Sequence, residues 1–364
     1  MLKNLQSIGG VIKQKSMVPI LEDFLFELKN NKLTITASDM ETTMISTLDT
    51  DMSEGEGAFA VPSKIILDLL RALPDIPVTF IIDVDTQSID IMAGEGNYHV
   101  ACHRGDDYPE MPTFESTDRI VLSSDTLNNA ISKTLFATSN EELRPSITGV
   151  LFDVNVDKLI FVATDAHKLV KYTKHNINAD SATKFVVPKK PLSQLKNILT
   201  EEEDVTIEYN KVNVNFSFGN YRVFSRLINS PYPDYDLIIP KENNNVMIVD
   251  KNMLINALKR IGIFVSQSTN QVRVDLSGGL LTISGEDMDL SNKAEERLIC
   301  EYDGDDMQIG FNSRFLLETL MHIDSQNIRV ELSNPSRAAI ILPEEDEETD
   351  ENLFMLVSPT MLNN

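Results

Sequence analysis

The side chains most able to do chemistry are thinly spread in this chain. His99 and His103 stand four apart, a spacing that would share one helix face, but they fall on an alternating, strand-like stretch with no further ligand cluster nearby. His167, His175 and His322 are scattered. Thr164-Asp165-Ala166-His167 brings a hydroxyl, a carboxylate and an imidazole within four residues, which raises a hydrolase built on Asp165 and His167. No nucleophile or second carboxylate stands at a recognisable spacing from them. There is no Gly-rich phosphate loop ending in Lys-Ser/Thr, no dinucleotide fingerprint, no Gly-x-Ser-x-Gly elbow and no Cys-x-x-Cys. The two cysteines, Cys102 and Cys300, suggest no disulfide framework and point to a reducing cytoplasm. These residues point away from an enzyme and away from a metal site.

Charge is the more informative chemistry. The chain of 364 residues has 56 acidic against 32 basic residues, a formal net charge of −24. Such a total argues against a phosphate-rich partner, but the placement of the charges argues for one. No Asp or Glu occurs from Met1 to Leu21, Thr126 to Asn140, Ser181 to Thr200 or Lys251 to Val274. Those windows carry Lys3, Lys13 and Lys15; Lys133; Lys184, Lys189, Lys190 and Lys196; and Lys251, Lys259, Arg260 and Arg273. Each contains a helical pattern, so one positive face on a negative body is expected. No apolar run approaches the roughly 18 residues of a membrane span, and the N-terminus lacks a signal-peptide pattern.

The elements that must position these charges repeat. Val61-Pro-Ser-Lys64 opens a helical run to Leu73, followed by alternating strands, Gly96-Asn97-Tyr98 and Tyr108-Pro109. Val187-Pro-Lys-Lys190 opens Leu192 to Leu199, followed by strands, Gly219-Asn220-Tyr221 and Tyr232-Pro233. The offsets are 126, 123 and 124 residues, and a blurred third copy starts at Gly310-Phe-Asn-Ser313 with a helix to Met321 and a strand from Asn327 to Leu332. Each copy reads as two similar halves, each a helix with about four strands. In the second copy Ser124 or Asp125 is the expected cap, in the third Asp250 or Asn252. Hairpins are expected at Asn30-Asn31 and at Ser277-Gly278-Gly279. The first copy has no strand before its helix, so one of its sheets should lack an edge strand. Three α+β domains result, 1–115, 116–243 and 244–364, each with two helices packed on antiparallel sheets. The joints Thr113–Thr117 and Lys241–Asn245 read as short polar linkers, and the acidic run Glu344–Glu351 as a solvated loop.

Six stretches in order resemble the bacterial DNA polymerase III beta subunit family, the sliding clamps. They are Val18-Pro-Ile-Leu21, Arg71-Ala-Leu-Pro74, Ala163-Thr-Asp-Ala-His-Lys-Leu169, Tyr232-Pro-Asp-Tyr235, Ile309-Gly-Phe-Asn312 and Leu356-Val-Ser-Pro359. The resemblance spans essentially the whole chain. It implies two subunits closing head to tail into a six-domain ring with helices around the hole, a closed symmetric assembly. It implies a processivity factor that encircles duplex DNA without reading its sequence, loaded by an ATP-driven clamp loader and needing no cofactor of its own. DNA contacts carry over to Lys15, Arg71, Lys189 and Lys190, while Glu141 stands where the family has a glutamine that touches DNA. A peptide groove for the polymerase III catalytic subunit, the clamp loader and other clamp-binding-motif proteins carries over to Ile147, Thr164, Ala166, His167, Lys168, Leu169, Pro233, Ile238, Leu356 and Ser358. Ala166, Lys168 and Ser358 depart from the family's glycine, arginine and methionine, and the tail runs on from Met361 to Asn364. The subunit interface carries over to Tyr98, Cys102 and Arg104 on one side, and to Glu295, Glu296 and Cys300, with Glu301, on the other. A scaffold of the same fold that does not encircle DNA is the alternative.

Overall fold

The structure is a computed structural model that describes residues 1–110, 114–116, 118–344 and 349–362. Parts of the expected linker Thr113–Thr117, of the acidic run Glu344–Glu351 and of the tail to Asn364 lie outside the described residues. Its helices are α1 (Leu2–Gly9), α2 (Ser63–Ala72), α3 (Ser124–Thr134), α4 (Lys189–Ile198), α5 (Lys251–Ile261) and α6 (Ser313–Leu320). Among the described residues no helix is long and apolar enough to cross a membrane.

The chain divides into two compact units, Met1–Asn128 with Val187–Leu227, and Asn129–Val186 with Ile228–Asn364. In the first unit, nine antiparallel strands run in the order His103–Arg104, Gly57–Pro62, Asp23–Lys29, Lys32–Ser38, Thr42–Asp49, Tyr221–Arg226, Asn213–Phe218, Asp204–Tyr209, Asp118–Ser123. A second sheet holds Val78–Asp83, Ser88–Ala93 and Gly96–Ala101. The apolar stripe of α1, Leu5 and Ile8, is fully buried, as are Phe24 and Ile35 on the strands. Helices α1 and α4 meet at Gly10, where a Cβ would stand 2.2 Å from the Gln194 side-chain oxygen. A larger residue there would push the Gln194 side chain aside.

In the second unit the nine-stranded order is Thr183–Pro188, Gly149–Val154, Lys158–Thr164, Lys168–His175, Glu351–Val357, Ala339–Glu344, Asn327–Leu332, Asn245–Asp250, Glu301–Asp303. A four-stranded sheet holds Asn292–Ile299, Leu280–Asp287, Gln271–Ser277 and Met307–Asn312. Phe152 packs in the interior against Phe161 and Phe185, at 4.7 and 5.2 Å between ring centroids.

The hairpins form where expected. Asn30 and Asn31 have φ of 50° and 58°, and Gly278 and Gly279 of 57° and 81°. Two successive positive values are what a two-residue turn matched to strand twist requires. The α5 cap is Asp250, which accepts from the Met253 N–H at 2.8 Å. The α3 cap differs from expectation. Ser123, rather than Ser124 or Asp125, accepts from the Thr126 N–H at 3.2 Å, because the helix starts at Ser124 and an N-cap lies one residue outside it.

The halves of each copy are not separate packages. In the second copy the opening strand Asp118–Ser123 joins the sheet of the second half, against Asp204–Tyr209. Thr183–Pro188, which opens the second half, lies beside Gly149–Val154 of the first. Sheets also run on from one copy into the next: Thr42–Asp49 pairs with Tyr221–Arg226, and Lys168–His175 with Glu351–Val357.

Candidate interaction surfaces

The Thr164–Leu169 stretch is a tight hairpin turn. Asp165 accepts from the backbone N–H groups of His167 and Lys168, both at 2.9 Å. Thr164 Oγ1 donates to the Lys168 carbonyl at 2.7 Å and accepts from the Ala166 N–H at 3.1 Å. The carboxylate and hydroxyl that suggested catalysis are spent closing the turn. The imidazole of His167 lies instead on the Phe315 ring, 5.1 Å between centroids and 17° from parallel. Lys168 is buried, its ammonium 2.6 Å from Asp165, 2.9 Å from Glu318 and 4.8 Å from the centre of Phe315. Desolvation opposes its charge, but the bonds to Asp165 and Glu318 hold its pKa above the ordinary lysine value. Phe315 and Glu318, one turn apart on α6, therefore support the hairpin from beneath. Sequence reading missed both, although their i, i+3 spacing on an amphipathic helix was visible.

Beside the turn, Leu169 pairs with Leu356 across the strands and both enter a buried cluster with Leu151, Ile160, Val162, Val186 and Tyr235. Tyr232 packs against that cluster, and its hydroxyl donates to the Val162 carbonyl at 3.3 Å. The Ser358 N–H donates to the His167 carbonyl at 2.8 Å. Thr164, Ala166, His167, Lys168, Leu169, Leu356 and Ser358 are thus brought together, with Pro233 exposed next to Tyr232. Ile147 is buried in the turn Pro145–Ile147, and Ile238 is 53% exposed; neither belongs to the cluster. Leu237, passed over in the sequence, is 80% exposed next to Ile238. The result is a buried apolar cluster beside a turn whose surface is polar and aromatic.

Ala166 has φ of +75°. A side chain there costs about 1–2 kcal/mol, offset in part by the entropy glycine loses on folding. Ala166→Gly is expected to stabilise the protein by about 0.5–1 kcal/mol, read as a higher urea midpoint at unchanged slope.

The basic residues divide. Lys190 donates to Asp39 at 2.6 Å and to the Val11 carbonyl at 2.8 Å, with Lys13 also 3.3 Å from Asp39. Lys133 pairs with Asp324, Lys184 with Asp153, and Arg260 with Glu296. Lys3, Lys15, Lys196 and Lys259 are exposed. Lys189 is half-buried, and exposed Arg71 pairs with Asp68 at 3.1 Å. Glu141 is bonded to Arg144 at 2.6 Å. Together the helices carry Lys3, Lys64, Arg71, Lys133, Lys189, Lys190, Lys196, Lys251, Lys259, Arg260 and Arg314 against Asp68, Asp125 and Glu318.

Of the expected interface residues, Tyr98, Glu295 and Glu296 lie on two sheet-edge strands, Arg104 and Glu301 on the end strands His103–Arg104 and Glu301–Asp303 of the nine-stranded sheets, and Cys102 and Cys300 between strands. Gly96–Ala101 ends one sheet, with Tyr98 38% exposed; Asn292–Ile299 ends another, with Ile299 84% exposed. Arg104 pairs with Asp106, Glu295 with Arg297, and Glu296 with Arg260. Cys102 and Cys300 are buried, and burial pushes both thiols above the ordinary value, which suits packing rather than reactivity. His99 bonds to Asp90 at 2.9 Å and His103 to Asp23 at 2.7 Å, on two different sheets. Among the described residues no group of three or more His, Cys, Asp or Glu is placed to hold a metal ion.

Such a chain is a repeat-built α+β protein, with basic helices, a buried apolar cluster beside the Thr164–Leu169 turn and sheet edges at Gly96–Ala101 and Asn292–Ile299. Models of the N-terminal, central and C-terminal domains of the DNA polymerase III beta subunit match residues 1–112, 121–234 and 236–356. A beta sliding clamp of Pseudomonas aeruginosa is 26% identical over 359 residues, 98% of this chain and 96% of that one. One of Synechococcus elongatus is 28% identical over 349 residues, 93% and 92%. A crystal structure of the Pseudomonas aeruginosa sliding clamp, DNA polymerase III subunit beta, superposes with a TM-score of 0.93 at 26% identity, covering 100% of this chain and 97% of that one. The chain belongs to the DNA polymerase III beta subunit family.

Proposed function

We propose that this chain is a DNA sliding clamp, the processivity factor that keeps a replicative polymerase on duplex DNA. Two copies close into a ring of six domains, divided in each chain as 1–115, 116–243 and 244–364. The observation that carries this reading is the charge of the helices. They are strongly basic in a chain of net charge −24. Basic helices facing phosphates and an acidic remainder let DNA pass without sequence contacts. Lys15, Arg71 and Lys189 serve that contact, with Lys3, Lys196 and Lys259. Lys190 has a second task, because its ammonium is tied to Asp39. The open edges Gly96–Ala101 and Asn292–Ile299, with exposed Tyr98 and Ile299, support ring closure by edge pairing. The groove around Leu169 and Leu356 supports capture of short apolar peptides from the polymerase III catalytic subunit, a clamp loader and other clamp-binding-motif proteins. We assign the chain no reaction and no cofactor, and place it in the cytoplasm.

The test is retention on nicked circular DNA after loading with a cognate clamp loader and ATP. Release on linearising the circle is the expected result, because topology rather than affinity holds the ring. Equal retention before and after cutting would favour the scaffold that does not encircle DNA. Charge reversal at Lys15 and Lys196 is expected to reduce loaded clamp while leaving peptide binding unchanged. It should also flatten the logarithmic salt dependence of DNA binding, by roughly 0.9 in slope for each phosphate left unneutralised. Lys190 is unsuitable for that test, since its removal disturbs Asp39.

A further inference from the structure

Helix α6 has eight residues, and its buried stripe includes Leu316, Thr319 and Leu320. A helix that short takes its stability from the contacts around it. Along its side, Phe315 and Glu318 meet His167 and Lys168 of the Thr164–Leu169 turn. Its C-terminal end is held separately. The last carbonyls of a helix lack partners within it, and side chains supply them here. His322 Nδ1–H donates to the Glu318 carbonyl at 2.8 Å. Lys251, at the start of α5, donates to the Ile323 carbonyl at 2.6 Å. Lys133 donates to the His322 carbonyl at 2.8 Å and also pairs with Asp324.

The two lysines differ in where they come from. Lys251 belongs to the third copy, like α6 itself, whereas Lys133 lies in the last turn of α3 in the second copy, which also carries the Thr164–Leu169 turn. Phe136, in the turn Leu135–Ala137 that follows α3, lays its ring on the His322 imidazole, 3.8 Å between centroids and 9° from parallel. In the sequence Lys133 falls in an acid-free window, among the cations of the expected positive face. In the structure its side chain is only 13% exposed. Its partner Asp324 is 88% exposed, and a pair with so exposed a carboxylate adds little. The bond to a carbonyl at the negative end of the α6 dipole is the stronger reason to withdraw the ammonium from water. The second copy thus grips α6 at two places, beside the turn and at the helix end. All of these residues lie in the second unit.

We propose that Lys133, assisted by Phe136, is a positioning residue for the Thr164–Leu169 turn. It fixes the end of α6 against the end of α3, and so fixes where Phe315 and Glu318 stand under His167 and Lys168. The turn's own hydrogen bonds set its shape, and the anchored helix sets its place. Any consequence for peptide capture rests on the proposed groove, but the effect on the turn does not.

Hydrogen exchange of the full chain tests it with Lys133→Met, which keeps the apolar stem and removes the donor. The reporters are the amides of Ala166, His167 and Lys168, which donate to Thr164 and Asp165. The first copy supplies the control, because Met40, Glu41 and Thr42 donate to Ser38 and Asp39 in the same pattern. Exchange at residues 166–168 is expected to rise about tenfold, with residues 40–42 unchanged. Lys133→Arg, which still offers donors to the carbonyl, is expected to restore native exchange. No change at residues 166–168, an equal rise at residues 40–42, or no rescue by arginine would each overturn the proposal. Should Lys133→Met not fold, Phe136→Leu reads the same amides, expected to exchange about threefold faster. No change there would overturn it as well. Titration with a peptide from the clamp-binding motif of the cognate polymerase III catalytic subunit separates this proposal from the groove. Binding by the native protein that weakens about threefold in Lys133→Met supports both. Faster exchange at residues 166–168 in a protein whose native form binds no peptide supports the positioning role and removes the groove.

Discussion

Lys168→Met is expected to cost about 2–4 kcal/mol of stability and to weaken the groove's hold on a clamp-binding peptide about tenfold. The lysine side chain is 4% exposed and holds two carboxylates, Asp165 at 17% and Glu318 at 46% exposure. Removing the cation leaves Asp165 charged, largely buried and unpaired. The cost is below that of a fully buried pair because Glu318 reaches water. Affinity follows because Asp165 also closes the turn that carries Ala166 and His167, and Glu318 ties that turn to α6. Equilibrium unfolding and peptide titration of Lys168→Met, Glu318→Gln and the double variant measure the coupling, expected at about 1–2 kcal/mol. Desolvation lowers the Lys168 pKa, but the bonds to Asp165 and Glu318 outweigh it and raise it above 10.5. The pair's contribution is therefore complete below the unfolded value and is lost only as pH rises through the higher folded one. A stability loss already visible in the native protein near neutral pH would contradict this.

Asp39→Asn is the second large effect, expected at about 2–3 kcal/mol. The Asp39 side chain is 5% exposed and accepts from Lys190 at 2.6 Å, from the Thr42 N–H at 2.8 Å and from the Glu41 N–H at 3.1 Å. The amide keeps the oxygen that closes the turn, but turns an N–H donor toward Lys190 and Lys13. Desolvation raises the Asp39 pKa, yet the Lys190 bond, the Thr42 N–H and the nearby charges more than reverse this and hold it below 3.8. A depressed carboxylate stabilises above its unfolded pKa and loses that stability as pH falls through the folded one. The gap between native and Asp39→Asn should thus be constant at neutral pH and close below about pH 4. Urea midpoints along a pH series measure it; a gap that persists in acid would mean the amide acts through packing alone. Adding Lys190→Met should recover part of the loss by removing the stranded cation.

Much of this protein was legible without coordinates because its information is local. Repeat offsets, turn asparagines and glycines, and apolar stripes placed the elements within a few residues. The turn Asn30-Asn31 and the cap Asp250 needed only short-range rules. The resemblance gathered His167, Lys168, Leu169, Leu356 and Ser358, and the structure joins them through the Leu169–Leu356 pairing and the Ser358–His167 bond.

Sequence by itself determined the threefold repeat, the order of elements and the basic bias of the helices, since each follows from residue type and spacing along the chain. Only the tertiary structure decided which strands pair. Asp118–Ser123 crosses to the other half's sheet, and Thr42–Asp49 continues into Tyr221–Arg226. It also decided which cations are available, tying Lys190 to Asp39 and Lys168 to Glu318 while leaving Lys196 exposed. The physical reason is distance along the chain. Strand ladders and buried ion pairs join residues far apart in sequence, and the alternation of a strand says which face is buried but not which neighbour it has.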